Sequence, residues 1–262
     1  MRLLVTNDDG IESSFLHLLV RALADAGQEV FVVAPRHEQS WVGAGKSRAR
    51  PVHSERTDAG LGCPTWIVDG TPSDCVNIAL AHLLPAAGWA APDAVVSGIN
   101  VGLNASLAFI PASGTIAGAW EGALHGLPAI AFSQDLTAEA FEAIASAGGR
   151  PDDRLRAMLQ ISAARAAQLV PELVAATPPH GFVVHNVNFP FFGAPDAPVR
   201  RTVPARVVVG GLFGPAADDG THRFVFKLGE DVSPASPLTD RAALAAGHIS
   251  HTVLDYTRLG GV

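Results

Sequence analysis

Two neighbouring carboxylates, Asp8 and Asp9, stand at the end of a short apolar run in the opening MRLLVTNDDGIE. Adjacent side chains point to opposite faces of a strand, so both can serve one site only where the strand has ended and the chain turns. Two other apolar runs also end in oxygen donors: VVAPRHEQS carries Ser40, and SGINVGLN carries Asn100 and Asn104. Carboxylate, amide and hydroxyl oxygens, without sulfur or imidazole, suit Mg²⁺, Mn²⁺ or Ca²⁺ rather than zinc or copper. Such an ion, held by Asp8, Asp9, Ser40 and Asn100, would relieve the repulsion between the two carboxylates. The plainer alternative is that one aspartate merely caps the helix that follows.

The loop PASGT places Ser113, Gly114 and Thr115 where the next helix should begin. Free backbone N–H groups, the positive end of a helix dipole, two hydroxyls and a glycine allowing close approach make a cradle for phosphate. The same residues also read as an ordinary capping turn. GINVGLN is not a dinucleotide fingerprint, no Walker A loop occurs, and neither Ser-Gly pair is a nucleophile elbow. The ten histidines are scattered, and His37, His125 and His185 read as surface or packing residues. Arg36 reads as a solvated loop residue near Ser40.

These candidates need elements to hold them at one edge. Apolar runs at Arg2 to Thr6, Glu29 to Ala34, Thr65 to Val68, Asp93 to Ser97 and Pro128 to Ser133 read as strands. Helical spacing falls between them, at Phe15 to Ala26, from Pro72 onward, and at Thr115 to His125. Ser73 or Asp74 is available to cap the second of these. Alternation of this kind predicts a mainly parallel sheet flanked by helices, with ligands at the carboxyl ends of its strands. Asp153 to Ala176 reads as a helix, Phe182 to Val187 as a strand, Val203 to Leu228 as a hairpin around GPAADDG, and the final stretch as a short helix and a strand. The expected organisation is an α/β core over residues 1–194, a protruding arm over 195–236, and a C-terminal helix and strand over 237–262 that return to the core or to a partner subunit. A hairpin of two strands is not stable alone and needs a surface to pack on.

The 25 acidic and 18 basic residues leave a net charge of −7, which gives no footprint for a nucleic-acid polymer or an anionic membrane. Cys63 and Cys75 are the only cysteines and lack metal-ligand spacing, as expected of a reducing compartment without a disulfide framework. The N-terminus has no signal-peptide pattern, and the expected location is the cytoplasm.

Together, LLVTNDDGI, VVAPRHEQS, DGTPSDCVNIAL, SGINVGLN, SGTIAGAWEGALHGLPAIAFS and LTDRAALAAGHISHT resemble the stationary-phase survival protein SurE family of metal-dependent nucleotidases and phosphatases. The resemblance implies a Rossmann-like core with a C-terminal hairpin arm exchanged between subunits in a homodimer or homotetramer. It implies hydrolysis of phosphomonoesters, commonly nucleoside 5′- or 3′-monophosphates, with one divalent metal per subunit. The family's metal ligands match Asp8, Asp9, Ser40 and Asn100, and its phosphate pocket matches Asn104, Ser113, Gly114 and Thr115. Asp8 or Asp9 would orient or deprotonate the attacking water, with carboxylate attack as the other route.

Two positions and one stretch depart from the family pattern. Trp41 replaces a usual glycine, Ala112 replaces a usual tyrosine, and IESSF follows Gly10 where Ala-Pro-Gly is more common. Trp41 would either stack on the leaving group or block it, which opens a non-nucleotide phosphate, or binding without turnover, as alternatives. Haloacid-dehalogenase phosphatases space their aspartates differently.

Overall fold

The computed structural model describes residues 1–191 and 193–259. In chain order the elements are β1 (Arg2–Thr6), α1 (Ser14–Asp25), β2 (Glu29–Pro35), β3 (Ser54–Thr57), β4 (Thr65–Val68), α2 (Pro72–Ile78) and α3 (Leu84–Ala86). They continue as β5 (Ala94–Val101), α4 (Gly114–Leu124), β6 (Ala129–Gln134), α5 (Ala138–Ser146), α6 (Asp153–Ala175) and β7 (Val183–Phe189). The chain then runs through β8 (Val199–Thr202), β9 (Val207–Val208), β10 (Glu230–Asp231), α7 (Asp240–Ala245) and β11 (Ile249–Asp255).

Nine strands make one sheet in the order β3-β4-β2-β1-β5-β6-β7-β11-β8. The six from β4 to β7 run parallel, while β3 and β11 join antiparallel to β4 and β7. β1 lies between β2 and β5, so successive crossovers leave it in opposite directions and open a crevice at its carboxyl end. Alternation along β1 explains the two-sided core. Leu3 and Val5 pack with Phe15, Leu19 and Leu23 of α1 and with Leu159 of α6, whereas Leu4 faces the other way with Val76 of α2. Such strands are apolar on both faces because helices cover both sides.

Helix α4 lies unusually close to the sheet. A Cβ at Gly118 would fall 2.9 Å from Thr6 Cγ2, and one at Gly122 would fall 2.5 Å from Val95 Cγ2. With Gly114 these glycines recur every four residues, on one helix face.

Helix α2 begins with a capping box. The Thr71 hydroxyl accepts from the Asp74 N–H, and the Asp74 carboxylate accepts from the Thr71 N–H, so Thr71 is the cap rather than Ser73 or Asp74. The hairpin pairs β9 with β10, with a bridge between Phe213 and Phe224. β8, within the expected arm segment, pairs with β11 in the main sheet. Residues 260–262 of the expected C-terminal segment lie outside the described residues. Among the described residues, no helix is long and apolar enough to cross a membrane.

His185 on β7 and His251 on β11 meet in the sheet, with Nδ1 of the first 2.9 Å from Nε2 of the second. The Thr177 hydroxyl donates to the Leu173 carbonyl, so it accepts from His185 Nε2–H. His185 Nδ1 is then an acceptor, and His251 Nε2–H must donate to it. Burial, with the charge of Arg201 nearby, pushes His185 down to about 4; burial, His185 and Arg201 do the same to His251. The unfolded chain takes up these protons near pH 6.5 and the folded protein near 4, so the pair's contribution to stability is lost as pH falls through that window. For His185 the full shift corresponds to about 3 kcal/mol. Urea unfolding from pH 7 to pH 4 should therefore show a steeper fall in the wild type than in His185→Gln/His251→Gln. Equal slopes would contradict neutral packing of the pair.

Candidate active site

The chain leaves β1 at Thr6 and turns at once. Asn7 is buried and donates from Nδ2 to the Gly10 carbonyl at 2.9 Å, while its Oδ1 has no hydrogen-bond partner. Gly10 has φ +92°, a left-handed conformation glycine adopts without steric cost. This turn brings the two carboxylates out at one strand tip.

Each carboxylate is held in place by hydrogen bonds, and Asp8 is also approached by the backbone N–H groups of Asp8 and Thr115. Asp8 Oδ1 accepts from the Thr115 hydroxyl at 2.5 Å, and Asp9 Oδ2 accepts from the Val101 N–H at 3.1 Å. Asp8 is therefore held against α4 and Asp9 against the end of β5. Burial is the main cause pushing the Asp8 carboxyl up, to about 6, opposed by the Thr115 hydrogen bond and aided by Glu38. Burial and the Asp8 charge push Asp9 well above the usual carboxylate range.

The N-terminus of α4 reaches Asp8 only because residue 114 is glycine. A Cβ there would lie 2.8 Å from Asp8 Cβ, 2.9 Å from Asp8 Oδ2 and 2.9 Å from the Gln39 carbonyl. Ser113 caps the helix, its hydroxyl accepting from the Ile116 N–H at 3.1 Å. The capping role and the phosphate-cradle role thus fall on the same turn: Ser113 Oγ serves the cap, and Thr115 Oγ1 serves Asp8.

The remaining candidates are tied in with different strength. Asn100 is buried and gives Nδ2 to the Gly102 carbonyl at 2.7 Å, leaving Oδ1 as its acceptor. Ser40 is exposed, on a loop whose Gln39 N–H donates to the Asp8 carbonyl at 2.7 Å. Its own N–H donates to Glu38 Oε1. Asn104 is committed elsewhere: Nδ2 donates to Ser133 Oγ at 2.9 Å and its N–H to Asn188 Oδ1 at 2.8 Å, on the β6 and β7 side. Trp41 packs edge-on against Phe109, Phe224 and Phe226. Arg36 pairs with Glu55 of β3 at 2.5 Å.

Two buried acids outside the predicted set organise the surroundings. Asp240 accepts from the N–H groups of Ser106, Ala205 and Arg241, which anchors the loop after Asn104 to the start of α7. Glu121 of α4 binds Lys46 at 2.5 Å and Asn77 Nδ2 at 2.8 Å, holding the Ser40 loop down on the helix. Both lie inside stretches that carry the family resemblance, Asp240 in LTDRAALAAGHISHT and Glu121 in SGTIAGAWEGALHGLPAIAFS, but neither is marked there by chemistry of its own.

The donor set fits a hard divalent cation. All its atoms are oxygens, the two carboxylates repel one another in a desolvated turn, and a cation would offset both penalties. Among the described residues no group of three or more His, Cys, Asp or Glu is placed to hold a metal ion, so the candidate donors are two carboxylates and neutral oxygens, with the charge of Glu38 acting on both carboxylates. Gly114→Ala should push Asp8 and α4 apart. Overpacking of this kind costs about 1–3 kcal/mol, and misplacing a reacting group by about 1 Å costs about 10²-fold in rate. Thermal unfolding and, for the activity that the resemblance leads one to expect, phosphate release measure the two, and a variant unchanged in both would contradict the close seat.

Comparison with known proteins gives the family and the fold. The family described as "Survival protein SurE" matches residues 3–209. The "5'-nucleotidase SurE 1" of Thermus thermophilus is 49% identical over 144 residues, which are 54% of this chain and 54% of that one. The chain thus spans about half the length of that relative in the matched stretch. The "5'-nucleotidase SurE" of Methanosarcina mazei is 32% identical over 252 residues, covering 96% of this chain and 90% of its own. The crystal structure of the SurE protein from Aquifex aeolicus superposes with a TM-score of 0.72 at 28% identity, over 99% of this chain and 97% of that one. With a family match over most of its length, a relative 32% identical over nearly the whole chain and a shared fold, the chain belongs to the SurE family.

Proposed function

We propose that this protein is a metal-dependent phosphomonoesterase acting on nucleoside 5′- or 3′-monophosphates. The observation that carries this reading is the pair Asp8 and Asp9, each held by hydrogen bonds, at the crevice of the sheet and against the N-terminus of α4. The printed names of the relatives, 5'-nucleotidase, support the 5′ ester in particular.

Asp8, Asp9, Ser40 and Asn100 would hold one ion, Mg²⁺ or Mn²⁺, with Ca²⁺ the other hard cation such donors accept. When bound, it supplies Lewis-acid polarisation of a phosphoryl oxygen and a more acidic water. The chain does the rest. The α4 N-terminus at Gly114 turns its dipole toward the ester's anionic oxygens, although the Ser113 N–H is already taken by the Ile110 carbonyl and the Thr115 N–H acts on Asp8. Asn104, with its side chain given to Ser133, would act on the ester only through the loop it fixes against β6 and β7. Thr115 keeps Asp8 from turning away, and the two carboxylates are the nearest bases to an attacking water.

A panel of nucleoside monophosphates, sugar phosphates and short polyphosphates, assayed for phosphate release with Mg²⁺ or Mn²⁺, tests this. Nucleotides should be hydrolysed, EDTA should abolish turnover, and Asp9→Asn should lower kcat/KM by about 10²–10⁴-fold. Tight binding across the panel without turnover would leave a binding module instead. The hairpin, with its exposed Val208, Phe213 and Leu228, supports assembly as a homodimer or homotetramer. Deleting residues 207–231, which spares β8 in the main sheet, should then yield a monomer in sedimentation; an unchanged oligomer would contradict this.

A further inference from the structure

Trp41 follows Ser40 directly, yet its backbone sits at φ +64°, a left-handed conformation that is a true outlier for a bulky residue. Strain of this kind persists only where surrounding structure over-determines it, and it concentrates at functional sites. What holds Trp41 is aromatic. Its ring lies 4.9 Å from Phe224 and 6.2 Å from Phe226, both on the hairpin, and 5.8 Å from Phe109. Phe109 in turn lies 5.6 Å from Phe226.

This cluster is fixed to the proposed phosphate seat from two sides. The Gly43 N–H, two residues past Trp41, donates to the carbonyl of Ala112 at 3.0 Å, immediately before Ser113. Phe109 stands on the loop that joins Asn104 to Ser113. Ala112 adds no bulk of its own between the rings and the α4 N-terminus. The cluster is nevertheless not closed: Trp41 is 42% exposed, Phe224 44% and Phe226 54%. Desolvated Phe109 at its base and half-open rings above make a wall rather than a core.

We propose that Trp41, Phe109, Phe224 and Phe226 stack the base of a nucleoside monophosphate whose phosphate lies at the α4 N-terminus, so that the hairpin arm completes the substrate site. This rests on the phosphomonoesterase reading and names the part of the ester that selects the substrate. Every base presents a π face, so the wall accepts purines and pyrimidines, and larger purines gain most. A phosphate ester without a base, such as ribose 5-phosphate, gains nothing from it.

The test compares GMP with ribose 5-phosphate in steady-state kinetics on the full-length protein. In Phe226→Leu, which keeps an apolar side chain, and in Trp41→Gly, which relieves the backbone, the ratio of kcat/KM for GMP over ribose 5-phosphate should fall at least fivefold, through KM. Trp41→Phe should restore most of it. GMP added without divalent metal should quench tryptophan fluorescence in the wild type but not in Trp41→Phe. A ratio unchanged in both variants, or an equal loss on both esters accompanied by a change of mass in sedimentation, would overturn the proposal and assign the rings to contact between copies. Should the wild type hydrolyse neither ester, the phosphatase reading fails, while the fluorescence titration still decides whether the wall binds a base.

Discussion

Two carboxylates side by side in a desolvated turn are the constraint on which the rest of this structure depends. Left alone, each resists ionisation, and each raises the cost of ionising the other. The chain answers by bringing fixed positive ends to them: the Val101 N–H to Asp9, and the Thr115 hydroxyl and the α4 N-terminus to Asp8. That answer requires α4 to lie almost in contact with the strand tips. Gly114, Gly118 and Gly122 are the means, since a Cβ at any of them would meet Asp8, Thr6 or Val95. The glycine stripe of α4 is thus set by the site, while Ile116, Ala119 and Ala123 pack the same helix against Ala129, Ala131 and Val184.

The segment between β2 and β3 has the opposite problem. It is long, carries Ser40 and Trp41, and has no regular structure of its own. Its position comes from tethers: Gln39 to the Asp8 carbonyl, Gly43 to Ala112, the Thr71 hydroxyl to the Gly45 carbonyl, Lys46 to Glu121, and Ser47 to Asp74. Asp74 serves twice, closing the α2 capping box and receiving Ser47, so the start of α2 and the loop share one anion. Loops that carry function on a rigid scaffold are commonly held in this way.

What could be read from the chain follows the same physics. The parallel strands were legible because they are apolar on both faces, and the strand-tip donors because polar residues after such runs are conspicuous. β3, with the sequence SERT, and β8, with VRRT, are short and polar and offer no alternation to read; partners β4 and β11 make them strands. At α2 several residues in a row could cap the helix, and only the fold selects Thr71, with Asp74 three residues on closing the box, over Ser73 and Asp74. The glycine repeat in α4 was visible but has no meaning until Asp8 is known to lie beneath it. The aromatic wall was out of reach, because Trp41 and Phe226 are far apart in the chain and meet only through the folded hairpin.

Anomalous diffraction from a crystal soaked in manganese bears most directly on the paired carboxylates. A single peak bounded by the carboxylates of Asp8 and Asp9, with Asn100 Oδ1 and Ser40 turned toward it, is the result this account predicts. Full occupancy elsewhere with no density between the two aspartates, or carboxylates that stay pinned and apart at saturating manganese, would contradict it.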